Sequence, residues 1–221
     1  MKNDTFQHIV DKHTMKYNER YAEHGDSHLA LGWPRESENH DRFRKMCYLI
    51  RWNQSHGRYT SLLDFGCGLG HLYEWMNENY IDPVYRNVVY SGLDVNLDFI
   101  EACRQKHPGL NFYHLDVLDN TALARLPDFD YIVCNGVFTE KLDTPWDEQW
   151  SYFTEIIKRL WEHTKHGLAF NVASACLDQQ RDDVFDVPLD DMAEFIEREL
   201  SGNFVFHHDY NPWEYTTYVY V

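Results

Sequence analysis

Positive charge is scarce in this chain. Twenty Lys and Arg stand against 36 Asp and Glu, a formal net charge of −16 over 221 residues with histidine neutral. Broad binding to nucleic acid or to anionic membranes draws on basic residues meeting phosphates, so neither a DNA partner nor a membrane partner is expected. Long apolar runs are missing as well; no stretch of about 20 such residues occurs, and no membrane span is expected. The opening MKNDTFQHIVDKH is polar and has no apolar core of a secretion signal. Cysteine is sparse: five residues, at 47, 67, 103, 134 and 176, odd in number and without a C-x-x-C pair. That pattern excludes a zinc ribbon and a disulfide framework, and reduced thiols place the protein in the cytoplasm. No metal site is expected. His207, His208 and Asp209 are adjacent, and neighbours on a strand point to opposite faces.

Aromatic residues, by contrast, are plentiful, with 7 Trp, 15 Tyr and 13 Phe. A chain of this size and composition can build a core without staples. Residues before about 56 predict a helix, a structured loop at Gly25 to Arg35, and a second helix over Asn39 to Asn53 whose Phe43, Met46, Cys47 and Ile50 form one apolar face. From Ser61 the pattern changes to short apolar runs alternating with helical stretches. Strands are expected at 61–65, 88–95, 111–117, 130–136 and 168–174, and helices at 70–79, 97–106, 145–165 and 189–200. Thr144 is the expected N-cap of the long helix, with Pro145 in its first turn and Gly167 as the left-handed residue at its end. Runs at 203–208 and 215–221 are separated by six residues, enough for an antiparallel hairpin and too few for a parallel crossover.

Repeated strand–helix alternation predicts a doubly wound α/β fold. Two domains follow: a helical N-terminal cap and substrate lid over residues 1–56, and a ligand-binding domain over 57–221. In such sheets ligands bind beyond the carboxyl ends of the strands, where strand order reverses. The first strand-to-helix turn reads LLDFGCGLGHL, with Asp64 before it and glycines at 66, 68 and 70. The second strand ends at Asp94, suited to accept from two ribose hydroxyls, and the third at Asp116, suited to a purine amine. The fourth ends at Asn135 and Gly136. Each piece has a plain structural reading as a turn or cap; four successive strand ends with a ligand-suitable residue point to a ligand. The dinucleotide fingerprint G-x-G-x-x-G fails from either start, the sixth position being His71 or Tyr73. Asp64 before the turn suits a cationic ligand better than a pyrophosphate.

Together, Asp64 with Gly66, Gly68 and Gly70, and the acidic tips Asp94 and Asp116, resemble the motifs of class I S-adenosylmethionine-dependent methyltransferases. The resemblance covers about Ser61 to Val221 and implies a seven-stranded, mostly parallel sheet with an antiparallel C-terminal hairpin. It implies S-adenosylmethionine as cofactor and S-adenosylhomocysteine as product. Gly66, Cys67 and Gly68 would then line the methionine and ribose, with Gly70 completing the turn. Asp94 would hold the ribose hydroxyls, Val95, Asp116 and Val117 would flank the adenine, and Asn135 and Gly136 would lie beneath the sulfonium. The run NGVFTEK after the fourth strand departs from the N-P-P-Y tetrapeptide of many nucleic-acid amino-methyltransferases. The leader YNERYAEHGDSHLALGWPRESENHDRF resembles that of small bacterial members, and such leaders cover the cofactor. Tyr17, Tyr21, Trp33 and Arg42 are its residues of interest, Trp33 as a cofactor contact and Tyr21 and His24 as candidates for a catalytic base.

Transfer from a sulfonium is an in-line displacement, so alignment of the acceptor matters most and a base is optional. The expected activity is methylation of O or N of a small-molecule acceptor by a monomer or homodimer. Acidic residues at 143, 147, 148, 178, 182, 183, 186, 190 and 191 read as a solvated face, or as favouring an amine or amino-sugar acceptor. A cofactor-binding subunit without catalysis, or a methyltransferase acting on RNA or protein through a partner, are the competing readings.

Overall fold

The computed structural model describes residues 4–51, 59–79, 85–176 and 181–221. After a short 3-10 turn, helix α1 spans Gln7–His24 and α2 spans Glu36–Cys47. Then come β1 (Thr60–Phe65), α3 (His71–Glu78), β2 (Val88–Asp94), α4 (Leu97–Lys106), β3 (Asn111–His114) and the one-turn α5 (Asn120–Leu123). The chain continues through β4 (Phe129–Cys134), α6 (Trp146–Glu162), β5 (Thr164–Ser174), β6 (Asp186–Val187), α7 (Leu189–Glu199), β7 (Phe204–His207) and β8 (Glu214–Tyr220). No helix among the described residues is long and apolar enough to cross a membrane.

Seven strands run in the order β3-β2-β1-β4-β5-β8-β7, and β8 alone runs against the direction of the other six. The order reverses between β1 and β4, which opens a cleft beyond their carboxyl ends. The expected seven-stranded sheet is present, with one addition. Pairing of β4 with β5 ends at Cys134 opposite Phe170, and the two-residue β6 pairs with Ala173 and Ser174 beyond it. So short a strand carries no alternation for sequence to show.

One core layer joins α6 and α7 to the sheet through Phe153, Ile157, Leu160, Met192 and Ile196, and takes in Phe6 and Ile9 of the N-terminal segment. The other packs α2, α3 and α4 through Phe43, Met46, Leu72, Trp75 and Ile100. The helical predictions therefore hold in their apolar faces, while four boundary readings are corrected. The second helix stops at Cys47, and Leu49 and Ile50 continue into the core after it; Trp52 and Asn53 lie outside the described residues. Thr144 does not cap α6, because Pro145 occupies the N-cap with no side-chain bond to the helix, and Thr144 is buried with its N–H on Lys141 O at 2.9 Å. Gly167 does not end α6 either. The helix stops at Glu162, and Gly167 lies inside β5 opposite Tyr131 and Tyr220. A Cβ there would come within 3.0 Å of Leu49 and 3.1 Å of Tyr220, so close packing rather than a left-handed turn requires the glycine. The third strand stops three residues early, at His114, because Asp116 Oδ1 accepts from Leu118 N–H at 2.9 Å and turns the chain.

Candidate active site

The floor of the cleft is backbone. Gly66, Gly68 and Gly70 have φ of 70°, 53° and 81°, a left-handed series that side chains resist. The turn is tied to β2 by Gly66 and Cys67 N–H groups donating to Leu93 O at 2.8 and 3.0 Å. Gly136, after β4, also has positive φ, at 73°. A Cβ on Gly66 would sit 2.4 Å from Val137, on Gly68 2.9 Å from Leu31, and on Gly136 2.4 Å from Trp33. These glycines thus form a cradle that any Cβ would fill.

Two carboxylates stand at its edge. Asp94 Oδ2 accepts from Gly68 N–H at 2.9 Å and Oδ1 from Asn96 N–H at 2.8 Å. Each oxygen keeps a second lone-pair direction, so the carboxylate can still receive two hydroxyls. Burial raises its pKa, and the backbone N–H bonds oppose the rise. Asp64, at the end of β1, is deeper, 3% exposed, and accepts from Tyr90 OH at 2.7 Å. Burial outweighs that bond and pushes Asp64 up to about 7.

The far wall is a chain of polar contacts that begins on β8. Glu214 Oε2 accepts from Asn171 Nδ2 at 3.2 Å, and Asn171 Oδ1 accepts from Gly136 N–H at 2.7 Å. The other Glu214 oxygen lies 2.6 Å from Arg42 Nε, a close charge pair whose side chains are 4% and 10% exposed. The Arg42 guanidinium lies 4.3 Å from the centre of the Trp33 ring. One carboxylate thus fixes Gly136 below and Trp33 above. Asn135 donates to Asn39 at 3.4 Å, while its buried Oδ1 has no donor among the described residues.

The roof is α1. Phe6, just before it, meets Tyr152 of α6 edge-on at 5.7 Å, and Asn18 accepts from Asn96 at 2.6 Å. Between these anchors Lys12 pairs with Asp143 at 2.7 Å and Lys16 with Glu140 at 2.5 Å. The loop after α1 is held by Asp26, which meets His71 at 2.9 Å and Lys106 at 2.8 Å. Beneath lies a cavity of about 150 Å³.

Asp64, Gly66, Cys67, Gly68, Asp94, Val95, Asn135, Gly136 and Trp33 all line it. Gly70 does not; it precedes α3 and completes the turn. Asp116 and Val117 also stand outside the wall, Asp116 in its own turn and Val117 in the core. Tyr21 packs edge-on against Phe99 at 5.5 Å, and His24 lies 3.8 Å from Glu23; neither reaches the cavity. His13, Thr14, Asn39 and Tyr152 are among the wall residues that escaped the sequence reading. The i, i+3/i+4 spacing of Val10, Thr14 and Tyr17 marks one face of α1, but periodicity alone does not say what that face covers.

Comparison with known proteins agrees with this architecture. Residues 63–167 match the family model described as a methyltransferase domain. The crystal structure of magnesium protoporphyrin IX methyltransferase from Synechocystis PCC 6803 with bound S-adenosylmethionine has a TM-score of 0.62 at 13% identity, covering 98% of this chain and 97% of that one. The plantazolicin methyltransferase BpumL, in complex with a desmethyl plantazolicin analogue and S-adenosylhomocysteine, gives 0.58 at 10% identity, with 97% and 98% covered. A TehB-like S-adenosylmethionine-dependent methyltransferase from Corynebacterium glutamicum gives 0.57 at 13%, with 96% and 98% covered. In sequence the chain is 25% identical over 150 residues to an uncharacterised protein of Methanocaldococcus jannaschii. That alignment takes in 61% of this chain and 40% of the archaeal protein.

Proposed function

We propose that this class I S-adenosylmethionine-dependent methyltransferase delivers the methyl group to an oxygen or nitrogen of a small neutral or cationic acceptor held beneath α1, with residues 1–56 acting as the substrate lid. One observation carries the acceptor class: among the described residues the cavity wall holds two Asp and two His but no Lys or Arg. A further carboxylate or phosphate on the acceptor, beyond the one carboxylate the cofactor brings, would lose its hydration there without a cationic partner. A roofed cavity also suits a small molecule better than a polymer. The similar proteins are named for a porphyrin and for plantazolicin, so their acceptors differ from one another. The reading includes a cytoplasmic monomer or homodimer without a DNA partner.

The cradle fits the cofactor. Gly66, Cys67 and Gly68 would run along its methionine and ribose, Asp94 would receive the ribose hydroxyls, and Val95 would face the adenine. Asn135 Oδ1, buried without a donor, and Gly136 would lie under the sulfur. Asp116 and Val117 would act on the adenine only from outside the wall. When bound, S-adenosylmethionine supplies an activated methyl group on a sulfonium, so no covalent enzyme nucleophile is required. The chain's own task is alignment and exclusion of water, and alignment contributes as much as about 7–11 kcal/mol in favourable systems.

The test is release of S-adenosylhomocysteine from S-adenosylmethionine in the presence of an acceptor panel. It contains amines, amino sugars and neutral hydroxyl compounds, together with carboxylate- and phosphate-bearing analogues, bulk transfer RNA and an unfolded protein. Turnover confined to the neutral and cationic small molecules is expected. Turnover only with the anionic analogues or the polymers would overturn the acceptor class.

A further inference from the structure

The roof contributes a titratable side chain that no other protein group engages by a hydrogen bond among the described residues. His13 faces the cavity from α1, one turn before Tyr17, with which it stacks at 6.5 Å between ring centres and 19° between planes. Its neighbours on the helix, Lys12 and Lys16, are drawn to Asp143 and Glu140 in the segment after β4. This turn of α1 is therefore pinned on both sides of His13. The second cavity histidine, His71, is already engaged by Asp26. Asp94 has both oxygens bonded to backbone and Asp64 is bonded to Tyr90, whereas neither His13 ring nitrogen makes a protein hydrogen bond among the described residues.

We propose that His13 is the catalytic base, taking the proton that an acceptor hydroxyl or amine gives up on methylation. This rests on the methyltransferase reading above. As the acceptor's lone pair forms the new O–C or N–C bond, the carbon–sulfur bond breaks and its electron pair stays on sulfur. The acceptor's proton passes to a His13 ring nitrogen, so the positive charge leaves the sulfur and ends on the imidazolium. His13 meets the requirement of being unprotonated at neutral pH. Burial lowers its pKa, Lys16 and Lys12 lower it further, and Glu140 opposes them. The same wall carries Asp64 and Asp94 with the neutral hydroxyls of Tyr17 and Tyr152.

The two ligands S-adenosylmethionine and S-adenosylhomocysteine differ by one positive charge at sulfur, and this makes the assignment testable without knowing the acceptor. NMR titration of the His13 ring, identified by its loss in His13→Gln or His13→Asn, reads its pKa in each complex. A pKa lower by about 0.5–1 unit with the sulfonium ligand is expected, because like charges across a small cavity disfavour protonation. Equal values within about 0.1 unit, at the resolution such titrations give against a unit-scale charge effect, would place the ring away from the sulfur and overturn the proposal. Calorimetry separates the two levels. If neither ligand binds the wild-type protein, the cofactor reading fails and the His13 assignment falls with it; if both bind, the titration tests His13 on its own. With any acceptor that turns over, His13→Gln should lower kcat about 100-fold at pH 7 and leave cofactor affinity unchanged; full kcat in the variant would overturn the assignment.

Discussion

The floor and the roof of the cavity are built in opposite ways. The floor is a contiguous run, Asp64 to Gly70, whose backbone conformation does the work and whose partner Asp94 lies one strand away. The roof is held by side chains far apart in sequence: Lys12 with Asp143 and Lys16 with Glu140. A floor made of glycine φ angles leaves little room for substitution. A roof made of ion pairs can be loosened piece by piece and is better suited to opening for exchange.

The junction of the two should be the most sensitive point. Glu214→Ala strands the buried Arg42 charge and frees both Gly136 and Trp33, so a loss of about 3–5 kcal/mol is expected in urea unfolding. A loss below about 1 kcal/mol, the range of exposed pairs, would mean that water reaches the pair.

Asp64 tests the floor through pH. Its folded pKa of about 7 lies above the unfolded value near 3.8, so the folded state holds the proton more tightly. Its ionisation therefore costs stability increasingly as pH rises from about 4, and the full cost is present above about 7. Asp64→Asn should be more stable than wild type at pH 8, on the order of a few kcal/mol, with the gain vanishing near pH 4. A gain independent of pH would show that Asp64 is not the group responsible.

Gly136→Ala distinguishes a backbone floor from a passive one. It places a Cβ 2.4 Å from Trp33 at a φ of 73°. The expected cost is about 2–3 kcal/mol, with weaker binding of S-adenosylhomocysteine. Wild-type affinity at wild-type stability would show that the cradle yields. The smallest effect belongs to the roof. Glu140→Gln removes one partly exposed pair and should change stability by about 0.5 kcal/mol, while stopped-flow release of S-adenosylhomocysteine speeds up about twofold. Unchanged release kinetics would separate α1 from the exit path.

The same contrast explains what could be read from sequence. The glycine turn, Asp94 and the strand ends were legible because local chemistry and strand–helix alternation place them without long-range information. Val88–Asp94 and Leu97–Lys106 illustrate this, the helix starting at an Asn96 cap whose side chain accepts from Asp98 and Phe99 N–H groups. His13 was not legible, because its role depends on which surface α1 covers. That surface is set by Lys12 and Lys16 meeting residues more than a hundred positions away. Asp116 shows the converse: a carboxylate at a strand end can also close its local turn, as its bond from Leu118 N–H does, and sequence alone does not show that it stands outside the cavity wall.

The central claim is that the glycine floor and Asp94 hold S-adenosylmethionine or its product. Its most direct test is calorimetric titration of S-adenosylhomocysteine, with NAD in parallel, into the wild-type protein and Asp94→Ala. Micromolar binding of the sulfur ligand alone is expected, weakened at least tenfold in a folded Asp94→Ala, as loss of hydrogen bonds to a charged group requires. Binding of NAD instead, or equal affinity in the two proteins, would contradict it.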